Sequence, residues 1–321
     1  MKVVVGRAEG TKVERMMKNR MKTVHAALVG ESGICSHDAK SEAILDEAAE
    51  TLRGLYGSEL DTLLIERVVV GVFFVGVKLS NGCGGIAYTP PEVVRSAGNR
   101  ILKGGAPTIR GMPASTVMGG DLSVPFACVI RLATLNALSV PFIEGGRYRV
   151  DTSGDLSGIP SLFRNRRICM VGAIIPLLKK LKDLGPAEVS IIDRKKETRE
   201  EAEAGYGTFV PTERTAETLA RCETAVFTGA AIANGSIDQL IGYVPPDAAM
   251  AVVGPTAGFV PDPLFRRNAA MVGTVVVTDI DQALEILGEG GGGYRLFGTC
   301  MRKINLLNVD RLRQLGLDRV C

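Results

Sequence analysis

Chemistry in this 321-residue chain has few side chains to draw on. There are two histidines, His25 and His37, and no tryptophan. Seven cysteines stand at 35, 83, 128, 169, 222, 300 and 321, with no C-x-x-C pair among them. A site for a soft or borderline metal needs thiolate, imidazole or carboxylate ligands converging at fixed geometry. Cys35-Ser-His37-Asp38 offers three such groups within four residues, although the stretch reads more simply as a turn that caps the next helix. Cys83 is the other metal candidate. Gly82 and Gly84 would expose its sulfur, and the competing reading is a small packing residue in a tight turn. A hydrolytic triad would have to recruit one of the two N-terminal histidines, and none is evident. These residues leave open whether the chain turns over a substrate.

A second set of candidates sits where strands should hand over to helices. In an open parallel sheet, ligands bind outside the carboxyl ends of the strands, near helix N-termini. Gly172 allows a tight turn into a helix, but the G-x-G-x-x-G dinucleotide fingerprint is missing. Asp193 follows Gly172 by 21 residues, where an acid often bonds a ribose hydroxyl; it reads equally as a plain strand-end aspartate. Thr228 and Gly229 open a third junction, which continues through Asn234, Gly235 and Ser236. Ser236 with Gln239 matches a capping box, so free N–H groups there should attract an anionic group. Gly254 and Thr256 form the fourth junction. Facing these, Asn81, Gly82, Cys83 and Gly84 are expected to supply the other wall of a cleft.

Elements that must position these residues can be read from periodicity. Ser41–Leu55 has a helical apolar stripe, and Met1–Lys22 has one opposite a basic face. Val68–Leu79 and Gly85–Tyr88 read as a strand pair joined by an Asn-Gly turn. Pro125–Leu138 reads as a buried helix. Glu144–Arg164, with four glycines, three serines and a proline, reads as a linker. Beyond it, apolar strands at Arg167–Val171, Glu188–Ile192, Thr224–Phe227, Ala249–Val253 and Met271–Val277 alternate with helical segments. Pro176–Leu184 carries its proline in the first turn, where a missing N–H costs nothing. Such alternation implies βαβ units and a parallel sheet. The expected organisation is α/β, with an α+β domain over residues 1–150 and a Rossmann-like domain over 151–321.

Composition excludes several classes. With 46% apolar and 23% charged residues, the chain is neither disordered nor fibrous. A formal charge of +3 gives no reason to expect nucleic acid. The longest apolar run, Val68–Val77, falls short of the ~18 residues of a membrane span. Scattered, unpatterned cysteines suit a reducing, cytoplasmic setting. The oligomeric state stays open, a homo-oligomer included.

Several motifs then point one way. Ser80-Asn81-Gly82-Cys83-Gly84-Gly85-Ile-Ala-Tyr-Thr89, Leu132-Ala-Thr-Leu-Asn136-Ala-Leu, Met170-Val-Gly172 with Pro176-Leu, Phe227-Thr-Gly229 with Asn234-Gly-Ser236, Val253-Gly-Pro-Thr256 and Glu289-Gly-Gly-Gly occur in order between about Leu63 and Leu306. They resemble the putative heavy-metal chelation family. That resemblance implies an enolase N-terminal-like domain joined to a Rossmann-like domain, a cleft between them, and a role in heavy-metal handling or metallo-cofactor metabolism. The implied ligand is a small molecule or a heavy-metal ion. The alternative reading is a non-catalytic sensor of a nucleotide or small anion, for which Arg194-Lys195-Lys196 beside Asp193 would suit a phosphate.

Overall fold

The structure, a computed structural model, describes residues 43–101, 108–154, 156–194 and 197–317. All belong to one compact unit that spans residues 39–321. The basic helix expected over Met1–Lys22, His25, the Cys35–Asp38 cluster and Lys195-Lys196 lie outside the described residues.

In chain order the elements are α1 (Ala43–Tyr56), β1 (Ile65–Val70), β2 (Phe74–Leu79), β3 (Gly84–Tyr88), α2 (Pro91–Ile101), α3 (Ala114–Gly119) and α4 (Ala127–Glu144). There follow β4 (Arg149–Asp151), β5 (Arg167–Val171), α5 (Ile175–Asp183), β6 (Glu188–Ile192), α6 (Glu197–Glu203), β7 (Thr208–Phe209) and α7 (Thr215–Leu219). The last group is β8 (Thr224–Thr228), α8 (Gly229–Ala233), α9 (Ile237–Ile241), β9 (Ala249–Val253), α10 (Asp262–Arg266), β10 (Met271–Val277), α11 (Ile280–Gly288), α12 (Gly293–Phe297), β11 (Met301–Leu307) and α13 (Val309–Gln314).

The fold is mixed α/β. Strands β1, β2 and β3 form an antiparallel meander. The larger sheet has eight strands in the order β4-β11-β10-β9-β8-β5-β6-β7. Six of them, β5 to β10, run parallel and read 3-2-1-4-5-6 when counted along the chain, the order of doubly wound nucleotide-binding sheets. Their central strands are buried almost throughout, as a sheet covered on both faces requires.

The small sheet is held between two helices by its glycines. Its side chains alternate, so Gly76 and Gly84 face α11 while Gly85 faces α4. A Cβ on Gly85 would overlap the Ala133 carbonyl and the Ala137 N–H; one on Gly84 would lie 2.6 Å from Ile280 Cβ. Helix α4 is mostly apolar, and its central residues, the polar Arg131, Thr134, Asn136 and Ser139 among them, are buried. By length and composition alone it could cross a membrane, but here it is a core helix.

Three readings of the sequence change. The expected single strand over Val68–Leu79 is a hairpin: β1 ends at Val70, and the Gly71 N–H bonds the Phe74 carbonyl. Its tip, Val72 and Phe73, is apolar and exposed, so no polar turn residue announced it. The supposed linker is built into the fold. Its β4 pairs with β11, and Leu156, Ile159, Leu162 and Phe163 are buried in one hydrophobic cluster. Finally, the capping box at Ser236 does not form. Ser236 Oγ donates to Asn234 Oδ1, Gln239 bonds Tyr243, and α9 begins without a side-chain cap.

Candidate functional site

The strand order of the large sheet reverses between β5 and β8, and in open α/β sheets ligands bind outside the carboxyl edge at such a switch point. Three junctions converge there. After β5, Gly172 adopts φ +91°, a left-handed conformation that a side chain would strain. A Cβ at Gly172 would overlap Thr228 Oγ1, so the β5 turn lies directly against the end of β8. After β8, Gly229 lies so close to the third junction that its Cβ would stand 2.8 Å from Thr256 Cβ. Gly254, at φ +136°, sits against the Gly229 backbone. Thr228 and Thr256 are both buried. These glycines let three strand ends approach one another.

The small sheet packs against this edge. The Tyr88 N–H donates to Thr256 Oγ1 at 3.0 Å. Asn136, buried inside α4, donates from Nδ2 to the Ile86 carbonyl at 2.7 Å and the Thr256 carbonyl at 3.2 Å. One amide therefore ties β3, α4 and the β9 junction together. Thr89 Oγ1, Asn136 Oδ1 and Thr274 Oγ1 are buried and find no hydrogen-bond partner among the described residues. Asn136 and Thr274 both border Gly258, each about 3.3–3.4 Å from where its Cβ would be. An unpaired buried polar atom costs about 1–3 kcal/mol, so these three mark where a water or ligand atom is wanted.

The expected site residues divide into two groups. Gly172, Thr228, Gly229, Gly254 and Thr256 come together. Asp193 joins them through its Oδ2, which accepts the Ala173 N–H at 2.6 Å and so holds the β5 turn. Asn234, Gly235 and Ser236 form a self-contained turn. Asn234 Oδ1 accepts both the Ser236 N–H and the Ser236 hydroxyl, and α9 spans only Ile237–Ile241. The Ser236 N–H is therefore already satisfied.

Asn81, Gly82, Cys83 and Gly84 lie at the opposite end of β3 from the Tyr88–Thr256 contact, four residues or roughly 13 Å along the strand. Asn81 Oδ1 accepts the Cys83 N–H, and Gly82 turns at φ +84°. Gly84 seats Ile280 of α11. Burial, and then the Glu144 carboxylate, push the Cys83 thiol above its ordinary range, which keeps it protonated. A bare metal ion does not fit these surroundings: among the described residues no group of three His, Cys, Asp or Glu side chains converges.

Tyr88, Thr89, Asn136 and Thr274 were missed as site residues by sequence reasoning. Asn136 had a signal, an amide among the leucines and alanines of a mostly apolar helix. Thr274 had none, since threonine is at home in any strand.

Comparisons with known proteins fall into line with this architecture. Residues 155–306 match the DUF364 family and residues 54–139 match the DUF4213 family, both described as "Putative heavy-metal chelation". The chain belongs to this family. A DUF364 protein of unknown function from Pyrococcus horikoshii matches with a TM-score of 0.63 at 18% identity, over 82% of this chain and 99% of that one. Another, from Desulfitobacterium hafniense, matches with a TM-score of 0.61 at 16% identity, over 85% of this chain and all of that one. At such identities the likeness is one of fold. No curated protein matches the chain.

Proposed function

We propose that the protein handles a heavy metal as a small organic chelate, taken up at the carboxyl edge where β5, β8 and β9 end. The carrying observation is the chemistry of that edge. It offers threonine hydroxyls, an amide and backbone groups, which suit the carboxylates and hydroxyls of an organic ligand. Among the described residues no thiolates, imidazoles or carboxylates converge to strip the ion from its carrier. The metal is cargo in this reading, and the protein recognises what surrounds it. The family's description supports the heavy metal, and the reversal of strand order supports a ligand site at the carboxyl edge. A metallo-cofactor precursor would meet the same donors.

Thr228 and Asn136 carry recognition in this proposal, Thr228 at the mouth of the switch point and Asn136 in its wall. Equilibrium dialysis against Ni(II)–citrate, citrate alone and Ni(II) alone separates chelate from ion. The chelate should be retained by the wild type and weakened at least tenfold by Thr228→Val, which removes a hydroxyl at nearly constant volume. A nucleotide retained in place of the chelate would favour the sensor reading instead.

A further inference from the structure

We infer that the free edge of the small sheet is a dimer interface, where β1 pairs antiparallel with β1 of a second copy of this chain about a two-fold axis at Val69. The inference stands independently of the chelate proposal. Hydrogen-bond parity in the meander decides which backbone groups face outward. The Gly71 N–H bonds the Phe74 carbonyl, so Gly71–Phe74, Val69–Gly76 and Arg67–Lys78 are the hydrogen-bonded pairs of β1 and β2. The N–H and C=O groups of Val68 and Val70 therefore point away from β2. At the far edge of the sheet, Thr256 accepts the Tyr88 N–H and Asn136 donates to the Ile86 carbonyl. On the β1 side, Met112 and Gly111 close the position of Ile65. Among the described residues nothing bonds the outward groups of Val68 and Val70.

Proteins that stay monomeric blunt such an edge with proline or lysine, and Arg67–Gly71 contains neither. The edge is instead flanked by apolar side chains: Val70, Val72 and Phe73 are 42%, 62% and 51% exposed. Two features select a second copy as the occupant. The first is register. With Val69 opposite its own image, Val68 meets the partner's Val70 and Val70 meets the partner's Val68, and every free group in both copies finds a partner. The second is charge. Val69 packs on α11, so Arg67 and Gly71, two residues to either side, lie on that face as well. This register sets Arg67 opposite the partner's Gly71. A Cβ on Gly71 would stand 2.8 Å from the Leu287 carbonyl, in the last turn of α11. That turn carries no basic residue, while Arg67 is exposed and has no ion pair among the described residues. Each Arg67 thereby reaches the negative end of the other copy's helix, across a glycine that leaves room for it.

Sedimentation velocity at micromolar concentrations is the test, and the wild type should run as a dimer. Val70→Pro removes an outward N–H at an edge position that tolerates proline, so it should abolish the dimer and leave the circular dichroism of the folded chain unchanged. Arg67→Glu alters a side chain that the single subunit does not use. It should raise the dimer dissociation constant about tenfold or more, and Arg67→Lys should raise it far less. Val69→Cys places a thiol on the axis, and oxidation should give a disulfide-linked dimer joined through that position on peptide mapping. A folded Val70→Pro that stays dimeric, or an Arg67→Glu as tight as the wild type, overturns the inference. A monomeric wild type also overturns it and leaves the edge to a strand of another protein. If Val70→Pro fails to fold, Arg67→Glu and the Val69→Cys link decide by themselves, and a dimer without that link refutes the register.

Discussion

Replacing Gly172 by alanine probes the switch point most sharply, because two separable penalties meet there. The first is conformational. At φ +91° a side chain occupies a region that costs about 1–2 kcal/mol for an L-residue. The second is steric. The new methyl would overlap Thr228 Oγ1 and stand 3.0 Å from Thr228 Cβ, an overpacking of the kind that costs about 1–3 kcal/mol. Gly172→Ala should therefore destabilise the protein by about 2–5 kcal/mol. In a Thr228→Ala background the overlapping hydroxyl and methyl are gone and the nearest atom is the Cβ. The cost should then fall to about 1–2 kcal/mol, the conformational part alone. Urea denaturation of the four proteins in this double-mutant cycle gives the coupling, expected at about 1–3 kcal/mol. Equal penalties in both backgrounds would refute the claim that the β5 turn rests on the end of β8.

Three further outcomes follow from the same geometry. Asn136→Leu leaves the Ile86 and Thr256 carbonyls without their shared donor, and denaturation should show a loss of about 1–3 kcal/mol. Glu47 is held down to about 2 from an ordinary 4.5, first by its hydrogen bond to Arg267 and then by Arg266, against an opposing desolvation. Its folded value is depressed, so its contribution is present above about pH 4.5 and is lost as pH falls toward 2. Since its side chain is 36% exposed, screening reduces that contribution to about 1 kcal/mol. The stability gap between wild type and Glu47→Gln should accordingly close over that range. Cys83, raised by burial and by Glu144, should react with iodoacetamide only at a pH above the ordinary thiol range, and Glu144→Gln should bring that onset down.

Five of the six parallel strands were legible as short, mostly apolar runs between glycine or proline signals, as in Arg167–Val171 and Ala249–Val253, while the two-residue β7 was not. Met301–Leu307 escaped notice: its Arg302 and Lys303 break the apolar run, and antiparallel pairing with β10 needs no helix before it. The glycines around Cys83 misled for a different reason. A glycine that admits a ligand and one that admits a helix look alike in sequence, and only the overlap with Ile280 and the α4 backbone tells them apart. Of the candidate site, the glycine–threonine junctions were visible because their chemistry is local. The part played by Asn136 and Thr89 was not, since it depends on β3 and α4 meeting the end of β9 across more than a hundred residues.

The most direct test of the central claim is the Ni(II) dialysis with metal and citrate both quantified on the retained protein. The account predicts nickel and citrate retained together at equal stoichiometry, with both lost in parallel in Thr228→Val. Nickel retained without citrate, or a complex indifferent to Thr228→Val, would contradict it.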